Sequence, residues 1–145
     1  MEVIATIRFT TPSLGAVRGP VNKMLRNAEG KVLFLQTWWR AGLGYASQAL
    51  SKYQNEVTRI QSDPIIEGTT TLFKRYYSPT HFQEHEAFDT NAEIKIRFCL
   101  PKRMTAEGFS ELLSVAGQYV GISPYGFKND YGRFVVVDVA PVKKG

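Results

Sequence analysis

Aromatic side chains alternate with lysine and arginine in two segments of the chain, residues 73–77 and 125–134. Exposed rings stack on the bases of single-stranded nucleic acid, at about 1–3 kcal/mol per base, while Lys and Arg contact its phosphates. These residue types at this spacing therefore predict a stacking surface with phosphate contacts. Rings on strands often pack in the core, so we expect about half of them to be buried. The candidate members are Lys74, Arg75, Tyr76, Tyr125, Phe127, Lys128 and Tyr131.

Basic residues are concentrated in the first part of the chain. Residues 1–60 contain eight Lys or Arg against three acidic residues, whereas residues 61–145 contain ten of each sign. An excess of one sign creates a patch of positive potential that attracts polyanions such as nucleic acid. The alternative is that these charged residues serve only to keep the protein soluble and happen to be unevenly distributed along the chain. The candidate phosphate contacts in this part are Arg8, Arg18, Lys23, Arg26 and Lys31.

The residues that could perform catalysis or bind a metal form no complete set. His81 and His85 are four apart beside acidic residues, a spacing that suits zinc on a helix, but there is no third histidine. The single cysteine, Cys99, falls in a predicted strand. No Walker sequence and no Gly-x-Gly-x-x-Gly motif is present. We therefore expect no metal, no cofactor and no enzymatic activity.

Composition limits the class of protein. The chain has 145 residues, of which 43% are apolar, and this length predicts one domain over residues 1–145. A lone cysteine cannot form an intrachain disulfide, which favours a reducing cytoplasm. No run approaches the roughly 18 apolar residues of a membrane-spanning helix, so we expect no membrane contact.

The periodicity of apolar residues predicts an α+β domain with the order strand, helix, strand, strand, helix, strand. This order is typical of the split βαβ, ferredoxin-like arrangement, an antiparallel sheet with two helices on one face. We expect the first and last strands to be neighbours in its centre. The alternative is a small OB-like barrel. The predicted elements are strands 2–10, 69–77, 93–99 and 133–139, helices 36–53 and 105–117, a flexible basic loop at about 12–30, and a polar loop at 78–91.

Two segments resemble small phage-encoded proteins of DNA metabolism. One is Thr11-Pro12-Ser13-Leu14-Gly15, and the other is residues 120–139, with a Gly-x-x-Pro motif followed by Tyr131-Gly132-Arg133-Phe134 and a strand. The resemblance implies a single-stranded DNA-binding protein that acts in the cytoplasm of an infected bacterium.

The sequence therefore predicts a non-catalytic, sequence-tolerant single-stranded DNA-binding protein that forms a homo-oligomer and serves phage DNA replication, recombination or transcription. RNA is an alternative ligand for the same residues. The competing hypothesis is a protein–protein interaction module, a phage inhibitor or a structural subunit. Composition does not separate them, because aromatic residues and arginine are enriched in protein interfaces as well.

Overall fold

The computed structural model describes residues 1–122 and 130–143. Within this part of the chain lie seven strands, two α-helices and a short 3-10 helix, Val57–Arg59. In chain order the strands and α-helices are β1 (Glu2–Phe9), β2 (Ser13–Leu14), α1 (Gln36–Leu50), β3 (Gln61–Ser62), β4 (Thr71–Ser78), β5 (His81–Phe88), β6 (Glu93–Cys99), α2 (Ala106–Tyr119) and β7 (Phe134–Pro141).

Four strands form the main antiparallel sheet, in the order β3-β6-β1-β7. β1 pairs with β6 through Ala5↔Ile96 and with β7 through Phe9↔Phe134. Successive residues of β1 and β6 alternate between buried and more exposed positions, as strands with one covered face must. The main sheet therefore has one apolar face and one face of mostly polar residues.

Both helices contribute to the single apolar cluster that covers this face. The indole of Trp39 on α1 packs edge-on against Phe98 of β6, with ring centroids 5.2 Å apart. The helices approach closely where Gly42 of α1 meets Ala116 of α2. The Thr105 hydroxyl accepts a hydrogen bond from the Gly108 N–H at 2.9 Å, which satisfies one of the free N–H groups that start α2.

A second, separate antiparallel sheet has the order β2-β5-β4. β4 and β5 form a hairpin that interrupts the sequence between β3 and β6, with Tyr76 opposite Phe82. The prediction of a polar loop over 78–91 is therefore wrong. β5 lacks an apolar alternation because its polar residues bind neighbouring loops. His85 Nδ1, for example, lies 2.7 Å from the Gly15 carbonyl oxygen.

The predicted α+β class is confirmed, and the described elements form two open sheets, so the OB-like barrel is not the architecture. β1 and β7 are neighbours as expected, but β7 lies at the edge of the main sheet, so its central position was wrong. Val135 and Val137 on β7 are exposed. Only its inward residues, among them Val136 and Val139, pack against the core.

The loop at 12–30 lies along the second sheet. Asn22 forms two backbone hydrogen bonds with β5, to the carbonyl of Glu84 and from the N–H of Glu86. Leu14 and Met24 are buried, so the loop has apolar anchors that its sequence did not suggest. The flexibility of this loop stays a prediction.

Among the described residues, no helix is both long enough and apolar enough to cross a membrane.

Candidate nucleic-acid interface

A cleft of about 560 Å³ separates the β4–β5 hairpin from the 12–30 loop. We call it the hairpin cleft. Two arginines from different elements, Arg18 on the loop and Arg75 on β4, contribute to its lining. The full lining is Ala16, Arg18, Gly19, Asn22, Arg75, Tyr77 and Gln83. Folding thus brings one of the predicted loop cations to one of the predicted strand cations.

The tyrosine of this cleft is held from two directions. The Arg75 guanidinium lies 4.9 Å from the centroid of the Tyr77 ring, a cation–π contact. The Tyr77 hydroxyl donates a hydrogen bond to Gln83 Oε1 across the hairpin. Tyr77 nevertheless remains 59% exposed. An exposed ring beside fixed positive charge has the properties that base stacking and phosphate contact require.

The opposite side of the hairpin, which we call the outer hairpin face, consists of Leu72, Lys74, Tyr76 and Phe82. Lys74 Nζ lies 4.7 Å from the centroid of the Phe82 ring, and the rings of Tyr76 and Phe82 are 5.4 Å apart. Leu72, Tyr76 and Phe82 are 65%, 58% and 45% exposed. This face therefore combines apolar surface with Lys74, opposite which Glu84 lies on β5.

The two predicted ring clusters are in contact. Phe73 of β4 packs edge-on against Tyr131, with ring centroids 6.3 Å apart. Tyr131 is half-buried, so it supports the hairpin through this contact. The other predicted members of the second cluster, Tyr125, Phe127 and Lys128, lie outside the described residues.

The remaining predicted cations occupy different surroundings. Lys23 on the loop and Lys31 directly after it are exposed. Arg26 forms an ion pair with Glu86 of β5 and donates to the Gly30 carbonyl at 2.6 Å. Arg8 lies outside the hairpin altogether, on the helix-free face of the main sheet opposite Glu93. The outward positions of β1, β6 and β7, all among the described residues, carry no aromatic residue, so these strands place no ring beside Arg8.

The Glu86 carboxyl has a perturbed pKa. Burial raises the pKa of this carboxyl, but hydrogen bonds from the Met24 N–H, the Arg26 guanidinium and the Thr70 hydroxyl, with the charge of Arg26, lower it by more. The result is a pKa below the ordinary 4.5. The carboxylate is therefore charged at neutral pH and links the loop to β5.

The two histidines do not share a site. Because β5 is a strand, residues four apart on it are separated by about 13 Å. His81 is exposed, and its Nδ1 lies 3.0 Å from Thr80 Oγ1, whereas His85 is fully buried. Within residues 1–122 and 130–143, no group of three or more His, Cys, Asp or Glu side chains is placed to hold a metal ion.

Comparison with solved structures shows a similar fold in another protein. A chain in the cryo-EM structure of the Type III-B Cmr-beta bound to cognate target RNA superposes with a TM-score of 0.59 at 8% sequence identity. The match covers 98% of this chain and 60% of that chain. The present chain thus corresponds to little more than half of its structural neighbour. No family model and no curated protein matches the sequence.

Sequence reasoning missed three residues of the hairpin: Tyr77, Phe82 and Gln83. The segment 78–91 was predicted as a loop, so its side chains were not placed opposite β4. Tyr77 adjoins the predicted Tyr76, and simple alternation exposes only one of two neighbours. In the structure the two tyrosines lie on opposite faces of the hairpin, and both are exposed because neither face is covered at this point. The run of two tyrosines after two cations was the available signal.

Proposed function

We propose that this chain is a non-catalytic binding protein for single-stranded nucleic acid, and that the hairpin cleft is its principal contact. The carrying observation is the Arg75 guanidinium against the exposed ring of Tyr77, in a cleft that Arg18 also lines. The structural neighbour supports the proposal, because it comes from a complex bound to target RNA. The excess of basic residues in the first part of the chain supports it as well.

In the proposed mode of binding, a base stacks on the Tyr77 ring while Arg18 and Arg75 contact the adjoining phosphates. Stacking tolerates any sequence, since every base has a π face. Duplex binds less well because its bases are already stacked on one another. The hydrogen bond from Tyr77 to Gln83 fixes the ring before the ligand arrives, which lowers the entropy cost of ordering it on binding.

The finer assignments form part of the same proposal. The resemblance of residues 11–15 and 120–139 favours single-stranded DNA and a role in phage DNA replication, recombination or transcription. The target RNA of the neighbouring structure favours RNA. DNA and RNA oligonucleotides of one sequence separate the two, since they differ chiefly in the 2′-hydroxyl.

The strand order β3-β6-β1-β7 supports a split βαβ arrangement as the fold assignment. Self-association also belongs to the proposal, and sedimentation at two protein concentrations tests it.

Substitutions at Tyr77 and Arg18 test the proposed contact. We expect Tyr77→Ala to weaken oligonucleotide binding by about 1–3 kcal/mol without changing the salt dependence, because stacking releases no counterions. Tyr77→Phe keeps the ring and should bind nearly as the wild type does. Arg18→Gln should reduce the slope of log affinity against log salt by about 0.7 for one lost phosphate contact.

Tyr45 provides a matched control, because it is an exposed tyrosine on α1, outside the hairpin. Tyr45→Ala should leave both affinity and salt slope unchanged. Wild-type affinity in a folded Tyr77→Ala variant, measured beside a circular-dichroism melt, contradicts the stacking role of this ring.

A second function, as a protein-interaction module, is favoured by the outer hairpin face. Its three large apolar side chains, Leu72, Tyr76 and Phe82, lie on one face and are exposed, and the rings of Tyr76 and Phe82 are in contact. Contiguous exposed apolar surface frequently marks a protein contact. Variants on the two faces of the hairpin distinguish the functions, because Tyr77 faces the cleft and Tyr76 faces away from it.

A further inference from the structure

A second basic cleft, of about 650 Å³, lies where β6 ends. We call it the β6-end cleft. Three of the residues that line it, Arg59, Lys102 and Arg103, are cationic, and one, Glu56, is acidic. The full lining is Asn55, Glu56, Arg59, Gln61, Cys99, Leu100, Pro101, Lys102 and Arg103. None of these residues was a candidate on sequence grounds.

The three cations are available to a ligand. All are exposed, and within the described part of the chain none of them forms an ion pair or a side-chain hydrogen bond. Lys102 and Arg103 occupy the two central positions of a turn closed by a hydrogen bond from the Met104 N–H to the Pro101 carbonyl at 3.0 Å. Met104 is buried. The turn is thus anchored in the core and holds its two charges outward.

The lining also determines which part of a nucleic acid this cleft can bind. Among the residues that the structure describes, its lining contains no aromatic side chain, so none of them offers a ring on which a base could stack. Lysine and arginine side chains bind phosphate oxygens without regard to sequence. The chemistry of the β6-end cleft is therefore that of phosphate contact alone, in contrast to the hairpin cleft with Tyr77.

The hairpin meets the main sheet at one end of β6, and the β6-end cleft lies at the other end. The hairpin joins the main sheet near Glu93, since β5 ends at Phe88, whereas the β6-end cleft includes Cys99 at the other terminus of the strand. Six residue steps along a strand span about 20 Å. A strand stacked at about 3.4 Å per nucleotide needs roughly six nucleotides to span β6 alone. It needs further nucleotides to reach the hairpin cleft, which is lined by Gln83, five residue steps before the end of β5.

We infer that the β6-end cleft is a second phosphate-binding site for the nucleic-acid strand that the hairpin cleft holds. This inference rests on the proposed function, and it adds a dependence on ligand length. Short oligonucleotides occupy the hairpin cleft alone. Longer ones reach both clefts and gain the affinity of a second, linked contact.

Binding of a 5-mer and a 20-mer to charge variants tests the inference. The double variant Lys102→Gln/Arg103→Gln should bind the 20-mer about 3–30-fold more weakly, with a salt slope reduced by about 1.4 for two lost phosphate contacts. Its affinity for the 5-mer should not change. The control Lys52→Gln/Lys143→Gln removes the same charge from two exposed positions outside both clefts and should bind the 20-mer almost as the wild type does.

The single cysteine gives an independent measurement on the wild-type protein. Cys99 is exposed and lines the β6-end cleft, so its alkylation by the neutral reagent iodoacetamide reports access to that cleft. The 20-mer should slow this reaction several-fold at saturation. The 5-mer should leave the rate unchanged.

The outcomes separate the inference from the proposed function. If Tyr77→Ala weakens the 20-mer while the Lys102/Arg103 variant and the Cys99 rate show no effect, the inference is overturned and the proposed function stands. If the Lys102/Arg103 variant weakens the 20-mer and Tyr77→Ala does not, the β6-end cleft binds nucleic acid without the Tyr77 contact, and both the hairpin contact and the linked second site are overturned. If the wild type binds no oligonucleotide, both are wrong.

Discussion

The guanidinium of Arg26 forms an ion pair with the carboxylate of Glu86, and this pair joins the 12–30 loop to β5. The same carboxylate accepts hydrogen bonds from the Met24 N–H and the Thr70 hydroxyl, each at 2.8 Å. One acidic side chain thus links the loop, the start of β4 and the centre of the second sheet. Arg26 was a candidate phosphate contact, and in the structure its charge is already matched by an acid. A direct role in binding stays a prediction for it.

We expect Glu86→Gln to destabilise the fold by about 1 kcal/mol, because it removes a charge-assisted pair whose Arg26 partner is partly solvated. A glutamine has one accepting oxygen, which can keep the hydrogen bond from the Met24 N–H. The NH2 group that replaces Oε2 cannot accept from Arg26 or Thr70, although the Thr70 hydroxyl can accept from it in turn. Urea denaturation measures the loss of stability. Glu84→Gln is the control, since Glu84 lies two residues away on the same strand face and forms no ion pair among the described residues. Equal losses in both variants contradict a specific role for the pair.

Stability should also depend on pH through Glu86. Its pKa in the folded protein lies below the ordinary value of 4.5. The unfolded chain therefore binds the proton more readily, and the carboxylate contributes stability above pH 4.5 that is lost as the pH falls through the lowered value. The free energy of unfolding should fall less steeply in Glu86→Gln than in the wild type below pH 4.5. Parallel curves for the two proteins oppose this assignment.

Tyr76→Ala and Phe82→Ala test the protein-interaction alternative. Both side chains are exposed, so neither truncation should approach the loss of about 3–5 kcal/mol that follows truncation of a buried aromatic residue. If the hairpin cleft is the nucleic-acid site, both variants should bind oligonucleotide almost as the wild type does, in contrast to Tyr77→Ala. Fluorescence anisotropy at two salt concentrations provides the measurement. A large loss of oligonucleotide affinity in Tyr76→Ala places stacking on the outer hairpin face instead.

Two helical glycines should respond to alanine in opposite directions. At Gly117 of α2, an added Cβ collides with the carbonyl oxygen and ring of Phe134 on β7. We expect Gly117→Ala to lose about 1–3 kcal/mol through overpacking. At Gly44 of α1 the added Cβ meets nothing within 4 Å, so Gly44→Ala should gain up to about 1 kcal/mol in helix propensity. Thermal melts of the two variants check the signs.

The main sheet and its helices could be predicted because their residues obey simple periodicities. β1 and β6 alternate between apolar and polar residues, and Thr105 caps α2. The second sheet could not be predicted in this way. β5 pairs with β4 on one side, and its polar residues are satisfied by the 12–30 loop, so its sequence has the composition of a loop. Long-range contacts of this kind leave no local pattern.

The sequence predicted the kind of chemistry at the candidate site, but only some of the residues that form it. The mixture of rings and cations in residues 73–77 led to Arg75, and the charge of the first 60 residues led to Arg18. Their meeting in one cleft depends on how the loop lies against β5, which spacing along the chain cannot reveal. Arg59, Lys102 and Arg103 escaped notice for the same reason, because they are brought together at the end of β6 from separate segments.

The pairing of β1 with β7 has a consequence for synthesis on the ribosome. β1 precedes every other element of the fold, and β7, its partner along one edge, is the last of them. At about 5–20 residues per second, one edge of β1 stays unpaired for on the order of ten seconds until β7 has been synthesised. Pairings of such sequence separation also fold slowly. The nascent chain therefore passes through a period in which an unpaired strand edge is exposed, and it is during this period that chaperone binding or aggregation competes with folding.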